Sequence, residues 1–150
     1  MAGNYLRDGR APIPKTEAIS RIMRANRGKD TKPELRLRHA LWHAGLRGYR
    51  KNWKGAPGTP DIAFPKYKIA VFIHGCFWHA CDRCQKSVPK SNSDFWRNKF
   101  EANKLRDRRK LRALRTAGWR TLVVRECRLN ENVDVDVNRV LRLIRRPTKP

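Results

Sequence analysis

Five apolar residues in a row, Ile69–Ala70–Val71–Phe72–Ile73, run straight into the segment HGCFWHACDRC. Side chains alternate across a strand, so a strand that is apolar at every position needs cover on both faces. The run therefore predicts a central strand over Lys68–Ile73. A shorter strand is predicted over Asp61–Phe64, and Pro65–Lys66–Tyr67 between them reads as a tight turn. Two histidines and three cysteines follow between His74 and Cys84. Whatever packs around the central strand must leave this loop at one end of the sheet.

The flanking segments supply the cover. A short helix is predicted within Thr16–Asp30, with Ile19, Ile22 and Met23 on one side. KPELRLRHALWHAGL predicts a second helix, with Pro33 and Glu34 in its first turn and Gly45 or Gly48 closing it. The segment Lys51–Pro60 reads as a loop. A long helix is predicted from Ser93, as N-cap, to a stop at Gly118. Its Trp96, Phe100, Leu111 and Leu114 share one face. Asn103 and Asp107 fall on the same stripe, which is explained equally by a functional site or by exit of that face to the surface. A strand over Trp119–Arg125 follows, then a C-terminal helix packed through Val133, Val137, Val140, Leu141 and Ile144. The order predicts one small mixed α/β domain over residues 16–146, a basic arm at 1–15 and a frayed tail at 147–150. The length of 150 residues suits a single modest core.

Charge narrows the partner. There are 36 Lys and Arg against 13 Asp and Glu, a formal charge of +23. Such a surplus favours a polyanion, with nucleic acid the obvious class. Ribosomal and packaging proteins share the bias, so charge does not establish catalysis. The basic residues are spread along the chain rather than gathered on one amphipathic arm, which argues against a membrane surface. No apolar run approaches the ~20 residues of a span, and MAGNYLRDGRAPIPK has no signal-peptide apolar region. The expectation is an intracellular, cytoplasmic protein, where disulfides are uncommon. Cys76, Cys81, Cys84 and Cys127 then suit a tetrahedral structural zinc site, if two strand ends bring Cys127 to the loop. Unligated thiols, a redox pair in CDRC, an iron–sulfur cluster, and His79 in place of one thiol are the alternatives.

With only 13 acidic residues, each carries weight. Phosphodiester hydrolysis commonly uses a hard divalent cation held by oxygen ligands. Asp61 stands where the Gly/Pro-rich loop enters a strand, and a tight hairpin would place it near Ile73, whose backbone carbonyl is another oxygen ligand. Glu34 could approach the same point. The bland reading makes Asp61 a strand cap and Glu34 a first-turn partner of the helix dipole. His74 and His79 bracket GCFW. A neutral imidazole can take a proton from water and a charged one can steady a phosphate oxygen, while either could be a buried structural histidine. Phe77 and Trp78 are core anchors or wedges for base steps.

PGTPDIAFPKYKIAVFIHGCFWHACDRC, FWRNKFEANKLRDRRKLRALRTAGWRTLVVREC and KPELRLRHALWHAGLRGYR together resemble the very-short-patch-repair (Vsr) endonucleases, over roughly Ser20 to Leu129. The resemblance implies a restriction-endonuclease-like variant of the PD-(D/E)xK fold: a small mixed sheet flanked by helices, with a structural zinc site. It implies Mg2+ at Asp61 and the Ile73 carbonyl, where isoleucine stands in place of a threonine and keeps the carbonyl but not the hydroxyl. It implies His79 as base or water orienter, His74 at the phosphate, and Glu34 as an auxiliary residue. It implies Zn2+ on Cys76, Cys81, Cys84 and Cys127, and DNA wedges at Phe77, Trp78 and Met23. The implied activity is magnesium-dependent nicking of double-stranded DNA 5′ to the thymine of a T:G mismatch. The implied setting is the bacterial nucleoid, with the enzyme monomeric on DNA and mismatch-repair proteins as partners. A nicking nuclease of different target, or a non-catalytic zinc-stabilised nucleic-acid-binding protein, are the rival readings.

Overall fold

The computed structural model describes residues 16–18, 21, 29–84 and 88–146. The 1–15 arm, the 147–150 tail, Met23 and most of the helix expected within 16–30 lie outside the described residues.

The apolar run is the centre of the molecule. Strand β1 (Arg50–Lys51), β2 (Ile62–Phe64), β3 (Ile69–His74) and β4 (Arg120–Arg125) form one sheet in the order β1-β2-β3-β4. β3 pairs antiparallel with β2, Ile62 opposite Val71, and parallel with β4, Val71 opposite Leu122 and His74 opposite Arg125. Its alternating side chains feed two cores. Ile69, Val71 and Ile73 pack with Leu37 and Leu41 of helix α1 (Lys32–His43) and with Val137 and Val140 of a C-terminal helix. Ala70 and Phe72 face the other way, against Leu114 of the long helix α2 (Ser93–Thr116), with Trp53 and Trp119 beside them. Period-two alternation inside a continuous apolar stretch thus yields a mixed sheet between two helical layers.

Local chemistry sets the helix ends. Thr31 caps α1: its hydroxyl lies 3.5 Å from the Glu34 amide and donates to the Glu34 carboxylate at 3.1 Å, while the other carboxylate oxygen accepts from the Asp30 amide at 2.9 Å. This is a variant of the Thr-x-x-Glu capping box in which the carboxylate takes the amide one residue before the cap. α2 begins at Ser93 with Asn92, not Ser93, in the cap position. It closes as expected at Gly118, whose φ of +83° lets its amide reach the Arg115 carbonyl and the Trp119 amide reach Leu114. The turn at Pro65–Tyr67 is a 3-10 helix.

β2, β3 and β4 each begin one residue later than predicted, and three further differences are seen. β1 falls at the start of the predicted loop; two residues are too few to leave a periodic signal. β3 ends one residue later than predicted, so His74 is its last residue rather than the first of the loop. After β4 the chain turns directly into a short helix, α3 (Glu126–Glu131), which places Cys127 in a helical first turn. The C-terminal helix, α4 (Val133–Arg145), follows at once.

Arg120 ties these layers together. Its guanidinium donates to the carbonyls of Tyr67 at 3.1 Å, of Arg146 at 2.9 Å and of Leu143, so a cation sits on the last turn of α4. Arg120→Met keeps the stem and strands those acceptors. The expected cost is about 1–3 kcal/mol, read as a lower urea midpoint at unchanged slope; an unmoved midpoint would show that water replaces the guanidinium without loss.

Candidate active site

The carboxyl ends of the parallel strands β3 and β4 open onto a cleft of about 780 Å³. Five of the chain's 13 acidic residues line it: Asp30, Glu34, Asp61, Asp107 and Glu126. In a chain of charge +23 this is a concentrated anionic pocket, arranged for cations rather than for bare phosphate.

Asp61 lies just before β2, where β2 and β3 part. Its Oδ2 accepts a hydrogen bond from the Ile73 amide at 2.7 Å. Asp61 and Ile73 therefore do meet, through the Ile73 N–H. Burial pushes the Asp61 carboxyl up to about 6; the Ile73 amide opposes this, nearby Glu34 adds to it, and Lys110 and Arg38 oppose it. Glu34 is only 5% exposed and lines the same cleft. Its carboxylate is spent on the α1 cap, so the dipole-and-cap reading and the site reading are both met by one residue.

His74 and His79 stack face to face, ring centroids 3.8 Å apart and planes 4° from parallel. His79 Nδ1 lies 2.6 Å from Asp107 Oδ2. An ionised carboxylate only accepts, so this contact puts the proton on Nδ1 and leaves the lone pair on Nε2. His74 Nε2 is 3.9 Å from the same oxygen, too far for a hydrogen bond. Burial lowers His74 to about 4, the adjacent His79 lowers it further and Asp107 opposes, so this ring is neutral at pH 7. The three side chains are close enough to hold a metal ion. Parallel stacking, however, points the in-plane lone pairs side by side instead of converging them, which favours a hydrogen-bonded dyad flanked by a neutral imidazole.

The aromatic pair is docked on α2. Phe77 meets Trp96 and Phe100 edge-on at 5.3 and 5.4 Å, and Trp78 lies 5.8 Å from Trp96. Asn103 donates to the Trp78 carbonyl at 2.8 Å. The polar interruptions of the α2 stripe thus serve the loop: Asn103 holds its backbone and Asp107 its histidine.

Beside the cleft, Cys76, Cys81, Cys84 and Cys127 bring their sulfurs within 4.8 Å of one another, a set that could hold a metal ion. All four are free of disulfides. Cys81 and Cys127 Sγ stand 3.8 Å apart, which matches the edge of about 3.8 Å that Zn–S bonds of ~2.3 Å give a tetrahedron. The Cys127 amide also points at Cys76 Sγ, 3.3 Å away. Burial pushes the Cys76 thiol up to about 12. Cys81 falls to about 7: burial resists, but the amides of Cys84 and Arg83 and the neighbouring thiols stabilise its thiolate.

Sequence reasoning passed over two cleft residues. Glu126 accepts from the Cys76 amide at 3.1 Å and fastens the turn after β3; the only signal was its place beside Cys127 at the end of a strand. Lys110 lies one helical turn beyond Asp107 and faces the same cleft; it was hidden among the many basic residues of α2.

Known proteins share much of this sequence. A sequence model of the family DNA mismatch endonuclease Vsr matches residues 13–86. The chain is 44% identical over 110 residues to the type II nicking enzyme V.XorIIP of Xanthomonas oryzae pv. oryzae, covering 73% of this chain and 80% of that protein. It is 43% identical over 132 residues to the type II nicking enzyme V.NmeAIP of Neisseria meningitidis, 87% and 91% of the two chains. It is 40% identical over 110 residues to DNA mismatch endonuclease Vsr of Escherichia coli, 73% and 70% of the two. With its cleft at the ends of β3 and β4 and its cysteine cluster alongside, the chain belongs to the Vsr family of DNA mismatch endonucleases.

Proposed function

We propose that this protein is a magnesium-dependent nicking endonuclease that cuts double-stranded DNA 5′ to the thymine of a T:G mismatch, in very short patch repair. The observation that supports this best is the half-buried Asp61 carboxylate in an acidic cleft beside the His79–Asp107 pair, on a chain of charge +23. A non-catalytic DNA-binding protein would need the charge but not that cleft. Because several relatives are named type II nicking enzymes, nicking of another target is the second reading. A panel of all mismatches in varied flanks, with the nick mapped, separates the two. Selective cutting 5′ to T in T:G supports the first; cutting elsewhere transfers the support to the second.

Asp61 and the Ile73 carbonyl would hold Mg2+, and Glu34 adds negative charge nearby. When bound, the ion supplies Lewis-acid neutralisation of the phosphate. The protein's own residues do the rest. His79 Nε2 takes a proton from the attacking water, and Asp107 keeps that nitrogen free and steadies the imidazolium that forms. His74, neutral, donates its N–H to a phosphate oxygen. Phe77 and Trp78 open a base step at the mismatch, with Met23 proposed as a wedge from the other groove. Zn2+ on the four cysteines would fix the loop that carries these groups. No helix among the described residues is long and apolar enough to cross a membrane. A cytoplasmic enzyme, monomeric on DNA and working with mismatch-repair proteins, fits this reading.

His79→Gln and Asp107→Asn are each expected to lower the nicking rate by about 10²–10⁴ while leaving mismatch binding within a factor of about three. Equal loss of binding would mean the pair is structural. Asp61, with its carboxyl near 6 in place of 3.8, is protonated below that pH, and the proton competes with the metal. The Mg2+ needed for half-maximal nicking should rise about tenfold per pH unit below 6 and level off above it; no dependence there would remove Asp61 from the metal site. Elemental analysis should find about one zinc per chain, and Cys127→Ser should lose the zinc and melt at lower temperature. A variant lacking zinc that melts and cuts like the parent would remove the structural role.

A further inference from the structure

The cleft has an electrostatic problem that none of the groups above solves alone. Arg38 pairs with Asp30 at 2.5 Å and lies 4.0 Å from Glu34, but the carboxylates of Asp61, Asp107 and Glu126 still repel the DNA backbone, and one metal ion at Asp61 would offset only part of that charge. Two described lysines line the cleft. Lys32, in the first turn of α1, is exposed; Lys110 is half-buried.

Among the basic residues of α2, Lys110 is the one that lines the cleft. Its ammonium makes no hydrogen bond or ion pair with any described residue. Asp107, one turn earlier on the same face, is the obvious partner but is occupied by His79 at 2.6 Å. Its stem is confined: Gly58, at φ +76°, lies so close that a Cβ there would sit 2.9 Å from Lys110 Cβ and Cγ. The loop before Asp61 therefore presses on the lysine stem, and the rotamer entropy normally lost on binding is already partly lost. The head nevertheless belongs to the site, since Lys110 lines the same cleft as Asp61 and His74.

We propose that Lys110 grips a non-bridging oxygen of the cut strand, at the scissile phosphate or at a phosphate one nucleotide from it, and so anchors the backbone that the acidic cleft would otherwise repel. This rests on the nuclease reading above and adds a substrate contact to it. A compact ammonium held by its stem suits a single phosphate oxygen, whereas the exposed arginines on the outer side of α2 are free to follow the backbone without fixing its register.

The alternative role for Lys110 is to balance the Asp61 charge without touching DNA, and the test is built to tell them apart. Full-length wild type, Lys110→Met and Lys110→Arg are compared on a mismatched duplex. Binding is followed over a salt series without Mg2+, and nicking with it. The expected result for Lys110→Met is a salt slope shallower by about 0.9 and kcat/KM lower by about 10- to 100-fold, with most of both restored in Lys110→Arg. The duplex is then made with a neutral methylphosphonate at each position around the nick in turn. One position, within one nucleotide of the cut, should make wild type and Lys110→Met bind equally. An unchanged salt slope in Lys110→Met, or no equalising position, overturns the proposal, even if the metal requirement shifts. Lys110→Gln provides a second neutral side chain should Lys110→Met fail to fold. Failure of wild type to nick any mismatched duplex would instead overturn the nuclease reading itself.

Discussion

Where β2 and β3 separate, the ladder runs out and the Ile73 amide has no strand partner on the β2 side. The Asp61 carboxylate takes that amide at 2.7 Å. An N–H shielded from water and left unpaired carries a cost comparable to a lost hydrogen bond, so the carboxylate has a structural role there as well. The same burial makes its charge expensive and raises its proton affinity. A group that takes this amide, dislikes its own charge and sits at the end of the central strand is well disposed to a cation. The rest of the cleft is built around this point: α1 brings Glu34 through its cap, and α2 brings Asp107 and Lys110 from the opposite layer.

The second constraint is the parallel register of β3 and β4. With His74 opposite Arg125, the residues that follow both strands emerge side by side. Cys76 and Cys127 then meet by simple continuation of the chain, and Glu126 closes on the Cys76 amide. The cysteine cluster does not create this juxtaposition. It stands at the root of a loop that is mostly turns and that Asn103, Asp107 and Glu126 also hold. An acidic cleft and a thiol cluster thus stand side by side at one end of the sheet.

Much of this was legible in the sequence because the physics behind it is local. The apolar run named the central strand, Gly118 the end of α2, and the cysteine spacing a cluster of four thiols. Asn103 and Asp107 stood out as polar members of an apolar stripe, though their partners could not be read from the same helix, because Trp78 and His79 lie 25 and 28 residues away. Glu126 and Lys110 left no pattern at all. One acid next to a cysteine and one lysine among many arginines acquire meaning only when β4 is laid beside β3 and α2 is rotated onto the sheet. The short β1 and α3 were missed for a simpler reason: two and six residues are too few for a period to show.

Helix α2 also acts as an angular gauge. Phe100, Asn103, Asp107, Lys110 and Leu114 follow one another at steps of three and four residues, and they serve in turn the aromatic dock, the loop backbone, the imidazole, the cleft and the core. Losing or gaining one residue within the helix would turn everything beyond it by about 100°, so Leu114 and Asp107 could no longer be seated together. Length variation among relatives should therefore collect before Ser93, in the stretch that joins the thiol loop to the helix, and spare the helix itself.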